Sequence, residues 1–383
     1  MDGMRRFSFA AAVCLLAGLA LCCAPSSRAP SGVLPADIPS CSQFRAAWLS
    51  GGEPPEEFRP WKFGPHKGFQ SSALARDGRV FVGAMDRLFF ALDAWTGKEL
   101  WRHSLEDDIF GSAAWHDGKV LAGAMDNYFF ALDASTGARL WEKACGHWAA
   151  SSPWVEGRTV YFGSHDEKLY ALDASTGREH WAFYAGAIIT SSPRIYQGRV
   201  FFGDHAGVMH AVDAVSGKEF WRRKVAERLV LWSSPALSRG RLYVGTTDGT
   251  LVALDAATGA PRWLFRAGDK ILSSPAAAGG AVFFGSWDGG VYAVSAESGA
   301  LLWKTQTGDR VESSPAVLEG RLYIGGLDKS VYAMDAATGA VLWRYATGGE
   351  VFSSPVVSRG VLYVGSGDGY FYALRAATGE GPA

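Results

Sequence analysis

From about residue 58 to residue 380 the chain alternates short apolar runs with turn residues. A typical stretch, from Ser313 to Trp343, reads SSPAVLEGRLYIGGLDKSVYAMDAATGAVLW. Continued to Tyr345 it holds four strand-like runs, SSPAV, RLYIG, SVYAMD and AVLWRY, separated by the turns EG, LDK and AATG. The same unit returns eight times. The glycines ending the second run are Gly83, Gly123, Gly163, Gly203, Gly245, Gly285, Gly325 and Gly365, spaced by 40 residues except for 42 between Gly203 and Gly245. Four strands per repeat of this length predict one propeller blade per unit. The expected fold is therefore all-β, an eight-bladed β-propeller of four-stranded antiparallel blades.

A blade has two apolar faces and can hide them only against neighbours, so the eight units must pack in a ring. A tryptophan near the end of each unit supports this: Trp101, Trp141, Trp181, Trp221, Trp263, Trp303 and Trp343 recur in register. Burying an indole removes about 200 Å² from water, a contribution of a few kcal/mol. Ahead of each sits an aspartate placed to accept turn N–H groups (Asp93, Asp133, Asp173, Asp213, Asp255, Asp335), with Ser295 and Arg375 breaking the pattern. The eighth unit stops after Ala376-Ala377-Thr378-Gly379 without its last strand. Trp61 stands ten residues before Ser71, the interval that separates Trp343 from Ser353. Residues 58–64 (FRPWKFG) are thus expected to pair beside the C-terminal strands and complete the last blade, leaving no open edge.

Composition agrees and excludes some partners. The 47 glycines and 13 % aromatic residues suit tight turns and pleated surfaces. With 37 basic and 38 acidic residues and no basic-aromatic stripe, nucleic acid is not an expected partner. Arg5 and Arg6 precede an apolar run from Phe7 to Leu21, too short to span a bilayer but right for an export signal over residues 1–23. Leu19-Ala20-Leu21-Cys22 is similar to a lipoprotein cleavage site with a bulky Leu21 where a small residue is usual. Cys22 is the expected lipid attachment point, with Cys23 the alternative. Residues 24–57, rich in Pro, Ser, Gly and Glu, read as a flexible tether, and 58–380 as the propeller. Only Cys41 and Cys145 lie beyond the signal, which allows one bridge and no CxxC-type metal or haem site.

The segments ALDAWTGKELW (91–101) and AVDAVSGKEFW (211–221) carry the pattern AxDxxxGxxxW. This resembles the tryptophan-docking motif of the pyrroloquinoline-quinone (PQQ)-like repeat β-propeller superfamily, and the resemblance covers all eight units. Two branches of that superfamily set the expectations for function. Quinoprotein alcohol dehydrogenases carry a vicinal disulfide, a catalytic Asp and calcium ligands, and this chain has no adjacent cysteines outside its leader. The plan of the chain is closer to the propeller lipoprotein of the outer-membrane β-barrel assembly machinery, which implies a non-catalytic envelope scaffold without cofactor, a monomer within a complex. The alternative is a small-ligand or PQQ-binding propeller, a quinoprotein dehydrogenase among them.

Between repeats, variation concentrates on one face: the loops leading into each SSP-type start and the turns between the second and third strands. The position just before each start reads Gln70, Phe110, Ala150, Thr190, Trp232, Leu272, Glu312 and Phe352, and two residues earlier Gly68, Asp108, Trp148, Ile188, Val230, Lys270, Arg310 and Glu350. The residue between is always apolar and should point into the packing, leaving the variable pair at the channel mouth. Exposed Phe110, Trp148, Trp232 and Phe352 among Lys270, Arg310, Glu312 and Glu350 would suit a protein interface; packing as a channel plug is the competing expectation. Trp287 lies on the neighbouring turns, and the two-residue insertion of the fifth unit adds Arg228 and Leu229 to the expected contact set. His147, His165 and His205, with Asp166 and Asp204, share this face but lack a ligand spacing, so no metal site is read there. The recurring turn aspartates (Asp86, Asp126, Asp166, Asp248, Asp288, Asp328, Asp368) read as turn formers. The SSP serines recur too often to be a single nucleophile.

Overall fold

The computed structural model of the chain describes residues 52–226 and 233–382. The described residues hold 32 strands in eight four-stranded antiparallel sheets, the expected propeller. Blades 1 to 7 are β2–β5 (74–104), β6–β9 (114–144), β10–β13 (154–184), β14–β17 (194–224), β18–β21 (236–266), β22–β25 (276–306) and β26–β29 (316–346). Blade 8 is β30 (Val356–Ser358), β31 (Val361–Gly365) and β32 (Phe371–Arg375), completed by β1 (Trp61–Phe63). The pairing of β1 with β32 sets Trp61 opposite Ala373 and Lys62 opposite Tyr372, so the N-terminal strip closes the ring.

The apolar clusters belong to pairs of blades. One joins Leu121 and Phe129 of blade 2 to Val155 and Phe162 of blade 3. Another joins Phe283 and Val291 of blade 6 to Leu322 and Tyr332 of blade 7. Neither half would be covered in a blade standing alone.

Two rings of specific contacts connect the blades. In the outer ring each tryptophan lies on the turn glycine of the following blade. A Cβ on Gly97, Gly137, Gly177, Gly217, Gly259, Gly299, Gly339 or Gly379 would come within 2.5–2.7 Å of the ring of Trp61, Trp101, Trp141, Trp181, Trp221, Trp263, Trp303 or Trp343 respectively. The same glycines have φ of +69° to +76°, so the residue is required twice, for conformation and for space. Seven of the eight indole N–H groups also donate to an alanine carbonyl of that next blade, from Trp61 to Ala94 at 3.3 Å through Trp343 to Ala376 at 3.0 Å. Trp141 makes the contact without the hydrogen bond. Beside them the turn aspartates accept as expected: Asp93 Oδ1 takes the N–H groups of Trp95 and Thr96.

The inner ring is made by serines. The backbone N–H of Ser72 donates to Ser112 Oγ, Ser112 to Ser152, Ser152 to Ser192, Ser192 to Ser234, Ser234 to Ser274, Ser274 to Ser314, Ser314 to Ser354, and Ser354 back to Ser72, all at 2.9–3.2 Å. The preceding serine turns the other way: Ser191 Oγ donates to the carbonyl of Gly203 and accepts its N–H. The repeated serines are thus structural. At the glycine ending the second strand, a Cβ would collide with the apolar residue of the next blade's loop, Gly83 with Ile109 and Gly365 with Phe69.

Arg375, which replaces the turn aspartate of the eighth unit, donates to the carbonyl of Phe58 at 2.6 Å and pairs with Glu380. The exception in the repeat therefore helps hold the closing strip. Residues 52–54, the end of the span read as tether, lie against blades 7 and 8, where Pro54 meets Gly360. We expect Trp61→Ala to cost about 3 kcal/mol and deletion of residues 58–64 to broaden the unfolding transition. Urea denaturation checks both, and an unchanged midpoint and slope would contradict the closure.

Candidate functional site

The variable face is built from two loops per blade that are tied to each other. In the described loops the residue three positions before the serine pair gives its carbonyl to the N–H of the turn between the second and third strands: Trp148 to His165 at 2.9 Å, Lys270 to Trp287 at 2.9 Å, Arg310 to Leu327 at 2.9 Å and Glu350 to Gly367 at 2.8 Å. The turn aspartates add a second tie. Asp166 Oδ2 accepts from Gly146 N–H and from Tyr170 O–H, and Asp368 Oδ2 from Gly348 N–H and Tyr372 O–H. Asp288 and Asp328 repeat the pattern with Gly268 and Tyr292, and with Gly308 and Tyr332. Side chains can therefore change at the mouth over a frame that does not.

The two variable positions have different fates, which corrects the expectation that both are exposed. Gln70, Phe110, Ala150, Thr190, Leu272 and Glu312, immediately before the serines, are all buried, Phe110 to 8 % and Glu312 to 0 % exposure. Neighbouring inner strands approach closely enough for the serine ring, so side chains one residue above it crowd on the axis. Only Phe352 among the described members of this ring is partly open. The outer ring stays accessible: Trp148, Lys270, Arg310 and Trp287 are half-buried and Glu350 is exposed. Arg228, Leu229 and Trp232 lie outside the described residues, as do Cys22, Cys23 and Cys41. Cys145 is a half-buried free thiol pushed up to about 12 by burial.

Two clusters stand on the accessible ring. On blades 3 and 4, His147, Trp148 and His165 pack within 5.0–5.7 Å between ring centroids, and His205 lies 6.1 Å from His165. Burial lowers both His165 and His205 to about 4, so they are neutral at pH 7. The aspartates of this face are turned elsewhere, Asp166 to Tyr170 and Asp204 to the buried His210 at 2.9 Å. Among the described residues no group of three or more His, Cys, Asp or Glu is arranged to hold a metal ion. His210, held between Asp204 and Glu219 and stacked on Phe202, went unremarked in the sequence because only the fold brings its partners together.

On blades 6 and 7, Trp287 carries Lys270 Nζ 4.3 Å and Arg310 Cζ 4.9 Å from its ring centroid, within cation–π reach. Glu312 lies buried nearby, with neither carboxylate oxygen hydrogen-bonded. Burial pushes its carboxyl up to about 7, against the opposing pull of Arg310, the neighbouring Trp287 indole N–H and Lys270. No local pattern signals this, because burial at that position follows from how the inner strands pack in the ring. A carboxyl raised from its unfolded value near 4.5 costs stability as pH climbs from there through about 7. Glu312→Gln should therefore melt above the parent at pH 8 and close to it at pH 4.5, where both side chains are neutral. Calorimetry at the two pH values checks this, and an equal gap at both would contradict the assignment.

The family model described as outer membrane protein assembly factor BamB matches residues 58–214, 205–309 and 287–381. Among curated proteins none matches the chain. Among solved structures, BamB from Moraxella catarrhalis is similar with a TM-score of 0.69 at 20 % identity, over 82 % of this chain and 95 % of that one. Quinohemoprotein alcohol dehydrogenase from Comamonas testosteroni is similar with a TM-score of 0.74 at 15 % identity, over 90 % and 81 %. A europium-containing methanol dehydrogenase reaches 0.67 at 15 %, over 79 % and 83 %. At such identities these structural likenesses speak to the fold.

Proposed function

The chain belongs to the family of outer membrane protein assembly factor BamB, and from that premise we propose that it is a non-catalytic envelope scaffold binding a protein partner through the variable face. The observation that carries the reading is the contrast within that face. Backbone ties repeat from blade to blade, while the accessible positions above them differ and include Trp148, Trp287, Lys270, Arg310 and Glu350. Half-buried tryptophans beside arginine and lysine on a rigid frame are the side chains that concentrate binding energy in protein interfaces. The partner is a component of the outer-membrane β-barrel assembly machinery. Export by residues 1–23, a lipid on Cys22 and a tether over 24–57 would hold the propeller in the periplasm beside the outer membrane.

Photo-crosslinking from positions 148 and 287 in membranes, read by mass spectrometry, tests this. We expect one assembly component at both positions, and a loss of about tenfold or more in recovery from the Trp148→Ala, Trp287→Ala double variant. Undiminished recovery would contradict the reading, as would alcohol oxidation by the purified chain supplied with PQQ and calcium.

A further inference from the structure

Lys270 and Arg310 reach one indole from two separately anchored loops, the first tied to blade 6 and the second to blade 7. Both also pull on the Glu312 carboxyl, so their charges act at one place, where an anion is favoured. The nearest carboxylates do not fill that place. Asp309 lies 3.5 Å from Arg310 Nε in a largely exposed pair, and Asp269 accepts the backbone N–H of Lys270. Glu312 is buried with the Trp287 indole N–H as its neighbouring donor, the pair falling short of full hydrogen-bond geometry. The two cations are the groups left half-exposed on the rim, with the Trp287 ring as their platform.

We propose that Lys270, Trp287 and Arg310 form a seat for a carboxylate side chain from an acidic segment of the partner polypeptide, with the buried Glu312 as an internal competitor for the same two cations. The inference rests on the reading of this face as protein-binding and names the chemistry of the partner. A polypeptide fits better than a free small acid. The seat is built of half-exposed side chains on the rim. A small acid gains little at an unenclosed seat, whereas a side chain on an already docked partner has lost most of its freedom.

Competition gives the seat a pH signature. The charges that reach Glu312 are those of Arg310 and Lys270, and its carboxyl titrates near 7. Ionised, it repels an incoming carboxylate; protonated, it leaves both cations to the occupant. Binding therefore takes up a proton and strengthens as pH falls through about 7, until the occupant's own carboxylates protonate near 4.

The test uses the purified chain and a ten-residue peptide of alternating Glu and Gly, with its Gln counterpart, by calorimetry at low salt. We expect the parent to bind the Glu peptide about fivefold to tenfold more tightly at pH 6 than at pH 8 and the Gln peptide not at all. Glu312→Gln, confirmed folded by its melting curve, should bind at both pH values as the parent does at pH 6. The Lys270→Ala, Arg310→Ala double variant should lose at least tenfold. Parental affinity in that double variant, or a pH dependence that survives in Glu312→Gln, would overturn the seat. If cross-links from position 148 persist alongside either result, the scaffold reading stands and the seat alone fails. Lost cross-links with intact peptide behaviour would do the reverse.

Discussion

A tryptophan resting on a glycine of the next blade is the contact from which the rest of the molecule follows. The turn glycine adopts a positive φ and leaves the space that the indole fills, so each blade is finished only by its neighbour. Inside this outer ring runs a second, in which each serine N–H is satisfied by the Oγ of the next blade and the eighth returns to the first. An open arc would leave both an indole uncovered and a buried N–H unpaired on the edge of its last blade. Both losses fall on the same seam, so closure is a condition of stability for every blade.

The strip around Trp61 supplies that condition. It pairs with β32, places its indole over Gly97, and is held by Arg375 where the repeat elsewhere has an aspartate. Because the frame is fixed by side chains near the axis and at the rim, the loops above it carry no packing duty at their accessible positions. Trp148, Lys270, Trp287 and Arg310 sit on backbone held by repeated hydrogen bonds, which gives them a defined place at small entropic cost. Fold and proposed binding surface are thus linked: the repetition that closes the ring also presents the differences.

Most of the fold was legible because its contacts recur at fixed sequence separations. The eight glycines, the tryptophans and the serine pairs each report a blade-to-neighbour contact, and Trp61 betrayed the closing strand by its interval to Ser71 alone. The site was legible only in part. Alternation predicted correctly that Ile109, Ile271 and Val311 are buried, yet it placed Phe110 and Glu312 at an open mouth. Whether that mouth is open depends on how close the inner strands come, a distance set by the serine ring and by no local pattern. The convergence of Lys270 and Arg310 on Trp287, and the diversion of Asp204 to His210, likewise join residues whose spacing carries no signal.

The claim that the ring is one closed unit is tested most directly by native-state hydrogen exchange of the eight serine amides, Ser72, Ser112, Ser152, Ser192, Ser234, Ser274, Ser314 and Ser354. If closure through β1 completes the ring, all eight exchange with a common free energy equal to that of global unfolding. Faster exchange at Ser354 than at the other seven would show a seam that opens by itself and would contradict the account.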